Sequence, residues 1–177
     1  MSFSTALAQN IKQLFEEGKQ LFDQEQYALA FGKFEPLTAL TQENDMVKYA
    51  SFYYAVSAYK TGDKVIAKNA FKQIEGKYPN WKIDNEIDYW LGLIAIEQGQ
   101  IAEGFDYLAK VEDDNFSSSI HALKKQAVDS IRDIDRLKAL LNDYPENLIA
   151  SQLASEMLRL DVQEQDLELL NSLQEQY

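Results

Sequence analysis

Three stretches of the chain superimpose at a fixed interval. LFEEGKQLFDQEQYALAFGKFEPL (14–37), SFYYAVSAYKTGDKVIAKNAFKQI (51–74) and DYWLGLIAIEQGQIAEGFDYLAKV (88–111) align without a gap. Gly18, Ala55 and Gly92 share a column, as do Glu25, Gly62 and Gly99. Ala30, Ala67 and Gly104 follow, then Phe34, Phe71 and Leu108, then Leu37, Ile74 and Val111; every column advances by 37 residues, twice. A unit of this size cannot enclose a core alone, so it must stack on its neighbours.

Each unit reads as two helices. In the first, apolar residues recur at steps of three and four, as in Phe52, Tyr53, Val56 and Tyr59. Turns follow at Thr61-Gly62-Asp63 and Gln98-Gly99-Gln100, where glycine suits the left-handed conformation just past a helix end. The second helix repeats the apolar stripe, as in Ala67, Ala70, Phe71 and Ile74, and stops near Tyr78-Pro79-Asn80. Small residues in the first and third columns fit helices that pack only about 8–10 Å apart. Gly104 inside a helix costs about 1 kcal/mol relative to alanine, which suggests that bulk is forbidden there. The large residues Phe34, Phe71 and Leu108 then fill the space between units. Pro36 falls inside a second helix, where its missing bond to the Gly32 carbonyl favours a kink.

This pattern resembles the tetratricopeptide repeat: a small residue in the first helix, then alanine and an aromatic in the second, then proline, here Pro79. The match runs from about residue 9 to 112. It departs in its period of 37 and in Leu14, Ser51 and Asp88, which stand where the family usually opens its first helix with an aromatic. The resemblance implies an all-α right-handed superhelical stack of antiparallel helix pairs, with the first helices lining a concave wall. On that wall it places Phe15, Lys19 and Phe22, then Phe52, Val56, Tyr59 and Lys60, then Tyr89, Leu93, Ile96 and Glu97. An aromatic trough of this kind suits an amphipathic helix or an extended apolar peptide. The Lys and Asn clamp by which some family members grip a C-terminal carboxylate is not matched, since Phe15, Phe52, Tyr89, Lys19, Val56 and Leu93 hold the equivalent places.

Beyond Asp114 the columns fade but helical period persists. Ser117 to Ser119 look like an N-cap cluster for SIHALKKQAVDSI, and Asp133 or Asp135 for DRLKALLNDY, which Pro145 ends. NLIASQLASEMLRL and QEQDLELLNSLQEQY follow, with Asp161 a candidate cap between them, giving about ten helices in all. The organisation is therefore residues 1–8 as a leader remnant or first helical turn, 9–114 as three helix pairs, and 115–177 as degenerate repeats and a C-terminal cap. That final stretch caps the stack, lays Leu167, Leu169, Leu170 and Leu173 into the trough, or marks where a longer protein continues. The tail IRDIDRLKALLNDYPENLIASQLASEMLRL also looks like N-terminal regions of some large secreted bacterial proteins. That likeness implies an alternative role as the accessory module of a periplasmic ligand-binding or transport-associated protein.

Charge and chemistry narrow the function further. The net charge is −12, and between Asp143 and Tyr177 eight acids face Arg159 alone. Such a surface repels phosphate backbones and anionic lipid, so neither nucleic acid nor the membrane surface is expected as partner. There is no cysteine and no apolar run long enough to span a bilayer. His121 is the single histidine, expected at the surface or half-buried, and no metal or cofactor set, phosphate loop or nucleophile motif occurs. The expected function is a non-catalytic scaffold that binds another protein or peptide segment, with homo-oligomers open. FSTALAQN (3–10) has the small-x-small form cut by signal peptidase, but also reads as a helix capped by Ser4 with Leu7, Ile11, Leu14 and Phe15 on one face. It favours a periplasmic or secreted location, with the cytoplasm as the alternative.

Overall fold

The computed structural model describes residues 3–41, 44–160 and 164–177, with side chains outside 3–7, 164 and 165. Ten α-helices occur among them: α1 Phe3–Asp23, α2 Tyr27–Thr38, α3 Asp45–Lys60, α4 Lys64–Lys77, α5 Asp84–Glu97, α6 Ile101–Leu108, α7 Ser117–Asp129, α8 Ile134–Asp143, α9 Asn147–Arg159 and α10 Glu164–Gln176. No strand occurs among the described residues, and the protein is an all-α helical repeat. It divides into two compact units, Met1–Ile94 and Ala95–Tyr177, with the division inside α5.

In the first unit α1 packs on α2 and α3, α2 on α3, and α3 on α4. The turns that join the pairs are copies of one another. The amide of Gln26 reaches the Leu21 carbonyl, Asp63 the Ala58 carbonyl and Gln100 the Ala95 carbonyl, each at 2.9 Å. These three bonds bridge five residues and are spaced by 37, as the columns are. Glu25, Gly62 and Gly99 all adopt positive φ, at 59°, 93° and 78°. Glycine enters that region freely, whereas an L side chain is strained there. Glu25→Gly is therefore expected to raise stability by about 0.5–1 kcal/mol, the strain relieved exceeding the entropy lost. An unchanged or lower urea midpoint would contradict it.

The small columns have a visible cause. A Cβ on Gly18 would lie 2.8 Å from the ring of Phe34. Ala30, Ala55, Ala67, Phe34 and Phe71 are wholly buried, with Leu37, Ile74 and Leu108 nearly so. Val111 departs from its column: α6 ends at Leu108, and Val111 lies past it, half-buried. α2 runs through Pro36 and stops two residues later. Ser4 is inside α1 rather than a cap for it.

In the second unit α6 packs on α7, α7 and α8 on α9, and α9 on α10. Leu170 and Leu173 of α10 join Phe105, Val128, Leu137, Ile149, Leu153 and Met157 in this unit's own core. Leu170 and Leu173, with Leu169 packed against that core, are thus spent locally, whereas Leu167 is exposed. Capping differs from the expectation at one place. Asp133 accepts the Arg136 amide as expected, but the serines 117–119 lie inside α7, and Asp113 caps the preceding 3-10 turn. Asp161 lies outside the described residues.

One acid of the tail is not a surface charge. Glu156 is 3% exposed and is held by Arg132 at 2.6 Å and Arg159 at 2.7 Å. The Arg159 hydrogen bond, opposed by burial and aided by Arg132, holds its carboxyl below the usual 4.5. A depressed folded-state pKa stabilises above the unfolded value and ceases to as pH falls through the folded one. Glu156→Gln is therefore expected to destabilise at neutral pH, with the gap from the parent closing in acid below 4.5. Urea unfolding at two pH values checks this, and a gap independent of pH would refute it.

Candidate interaction surface

The aromatic residues of the first unit form a clasp, and the clasp repeats. Tyr53 of α3 stacks on Phe34 of α2 at 5.5 Å and leans on Phe22 of α1 at 4.8 Å. Trp90 of α5 stacks on Phe71 of α4 at 6.1 Å and leans on Tyr59 of α3 at 5.0 Å. Phe34 and Phe71, Phe22 and Tyr59, and Tyr53 and Trp90 are each 37 residues apart. The first helices of the second and third pairs, α3 and α5, thus each insert one ring into a slot made by the two helices before them. Offset and edge-on pairs of this kind add about 0.5–1.5 kcal/mol each beyond the area they bury. The same register leads next from Tyr59 to Ile96 and from Trp90 to Ala127, both aliphatic, and Ile96 packs on the second unit's core where Ala127 lies.

This geometry sorts the expected wall residues. Phe52 and Val56 are core, at 7% and 3% exposure, with Phe52 edge-on to Phe71 at 6.0 Å. They cannot line an open trough because that face of α3 turns inward onto α4. Phe15 and Phe22 are half-buried and spent on Phe34, Tyr27 and Tyr53. Lys19 is half-exposed, paired with Asp23, and stands 5.3 Å over the Tyr53 ring. Lys60 is exposed at the end of α3, with its ammonium 5.9 Å from the Tyr27 ring and 5.8 Å from Trp90. Tyr59, Tyr89 and Leu93 remain half-buried, Tyr89 edge-on to Trp90 at 6.1 Å. Ile96 and Glu97 belong to the second unit, and the other nine residues to the first.

Sequence reasoning missed Tyr53 and Trp90 as the rings that organise this face. Their column opens with the exposed Glu16, which hid the aromatic pattern from a search for residues shared by all three repeats. Burial raises the Tyr53 pKa, and Lys19 opposes the shift, so the phenol stays neutral in the clasp. Among the described residues no group of three or more His, Cys, Asp or Glu is placed to hold a metal ion. His121 is exposed on α7.

A family model described as outer membrane lipoprotein, YfiO, matches residues 7–164. The chain belongs to this family. No curated protein and no solved structure matches it significantly. YfiO membership makes the chain a protein of the bacterial envelope, in agreement with the periplasmic or secreted location expected from its sequence. It also fits the resemblance to tetratricopeptide proteins at the level of stacked helix pairs. None of the 177 residues is cysteine, so no residue of this YfiO-family span can carry a thioether-linked lipid. No described helix is long and apolar enough to cross a membrane.

Proposed function

We propose that this YfiO-family protein is a non-catalytic scaffold that holds a polypeptide segment against the first-helix face of its first unit. One observation carries the reading. Outside the clasp, Tyr89 and Leu93 of α5 stand half-buried, and Lys60 of α3 is exposed, with its ammonium 5.8 Å from the Trp90 ring that Tyr89 meets edge-on. Tyr89 and Lys60 are both held at the Trp90 ring, so less side-chain freedom remains to be lost on binding. Large, rigid aromatic side chains flanked by a cation are what interface hot spots consist of. An amphipathic helix or an extended apolar segment, its apolar side on Tyr89 and Leu93 and a polar edge near Lys60, fits such a strip.

The test uses residues that the core does not need. Tyr89→Ala with Lys60→Ala is expected to weaken partner binding at least tenfold, from about 1–2 kcal/mol per anchor. Helicity and the urea midpoint should stay near those of the parent. Undiminished binding of the partner that co-purifies with the parent protein would reject this face. Phe52→Ala would not serve, because Phe52 is core and its loss would damage the fold.

A further inference from the structure

The corner where α4 gives way to α5 gathers three lysines, of which Lys77 donates to the Leu40 carbonyl at 3.1 Å and Lys82 hydrogen-bonds Tyr49, beside two buried donors that have no partner. Lys48 and Lys77 stand over the Tyr78 ring at 5.3 and 5.2 Å, and Lys82 over the Tyr49 ring at 5.2 Å. The three rings form one group: Tyr49 packs on Trp81 at 5.1 Å and Trp81 on Tyr78 at 6.1 Å. Each ammonium sits on a ring face rather than on a carboxylate, in a chain with 29 acids and 17 basic side chains. The first unit differs from the rest in this respect. Its twelve acids are nearly balanced by ten lysines, so most of the negative charge belongs to the second unit.

The interior of the corner is short of acceptors too. Tyr78 and Trp81 are 5% and 8% exposed, and neither the Tyr78 hydroxyl nor the Trp81 Nε1–H has a partner. Buried polar groups are paired in the great majority of cases, and an unpaired one costs about 1–3 kcal/mol. Tyr78 and Lys77 also line a cavity of about 130 Å³, together with Tyr54 and Gln73. Lysine and the indole N–H can only donate. Asp84 takes backbone hydrogen bonds from Asn80 and Trp81, and Asp45 acts on Lys82 only through its field.

We propose that this corner is a binding site for a carboxylate group, received among Lys48, Lys77 and Lys82 against the Tyr49, Tyr78 and Trp81 rings. Ammonium–carboxylate bonds are about twice as strong as neutral ones, and the ring faces hold the lysines in place before the ligand arrives. The carboxylate comes from an acidic side chain of a bound polypeptide or from a free small carboxylic acid. The site adjoins the clasp, since Tyr49 stacks on Tyr53 at 6.3 Å, yet it does not depend on what covers Tyr89 and Leu93.

The chain has two tryptophans, Trp81 and Trp90, so proton–nitrogen spectra of the whole protein show two indole signals. Trp81→Phe assigns them. Titration with penta-glutamate and with glutarate is expected to shift the Trp81 signal saturably at millimolar ligand, leaving the Trp90 signal in place. Penta-glutamine should have no effect, and added salt should weaken the response. Lys48→Gln with Lys82→Gln, a change at the rim, should weaken the apparent affinity about tenfold or more with helicity unchanged. A response to both acids assigns the site to a carboxylate in general, and a response to the peptide alone assigns it to an acidic polypeptide. A Trp81 signal that stays still with both acids, or moves equally with penta-glutamine, overturns the proposal. Loss of partner binding at Tyr89 and Lys60 leaves this result untouched, so the two readings fail separately.

Discussion

Phe71→Ala is expected to cost about 3–5 kcal/mol of stability, the range for deleting a fully buried ring. Phe71 is 0% exposed and meets two rings at once. Phe52 meets it edge-on at 6.0 Å, and Trp90 lies on it at 6.1 Å and 8° between planes. The truncation removes the floor on which Trp90 rests, so the loss is both the transferred area and the emptied contact. Both tryptophans, Trp81 and Trp90, lie in the first unit, and their fluorescence reports that unit through a urea titration. Phe31→Ala is the control: Phe31 is half-buried, stacks on Tyr54 at 4.4 Å, and should cost distinctly less. Equal losses at Phe31 and Phe71 would show that the clasp has no special weight.

Gly18→Ala carries the second large effect, and its sign depends on one partner. Helix propensity alone favours alanine by about 1 kcal/mol. Against that, the new methyl would stand 2.8, 2.9 and 3.1 Å from three atoms of the Phe34 ring. Phe34 is wholly buried and stacked on Tyr53, so the ring cannot step aside cheaply. Overpacking of this kind costs about 1–3 kcal/mol, and the net expectation is destabilisation by up to about 2 kcal/mol. In a Phe34→Leu background the sign should reverse, because the obstructing ring is gone. A double-mutant cycle measures the coupling directly. Gly32→Ala tests the propensity term by itself: nothing lies within 4 Å of the added methyl, so it should stabilise.

The repeat was legible in the sequence because its causes are local and recur. Glycine at the turn marks a left-handed residue, and Gly62 and Gly99 declare it openly. Glu25 declares it only by its column. Alanine and phenylalanine at fixed offsets mark close helix contacts, and all four of Ala30, Ala67, Phe34 and Phe71 are fully buried. The surface was harder to read. Helical period tells which residues are apolar, not which of two helical faces looks inward, so Phe52 and Val56 were expected on the wall that they instead support. Tyr53 and Trp90 carry no signal in the first repeat, where Glu16 stands. The corner of Lys48, Lys77 and Lys82 comes from three separate segments and leaves no spacing to find. The short α6 is a further departure, and nothing in the packing explains why it ends before Val111.

Photo-crosslinking within the envelope tests the central reading most directly. A photoreactive phenylalanine analogue placed at Tyr89 or Leu93, one position at a time, should join the protein to the same discrete partner. The same analogue at Asn69, an exposed position on α4, should not. Adducts from Asn69 with none from Tyr89 or Leu93 would contradict the account.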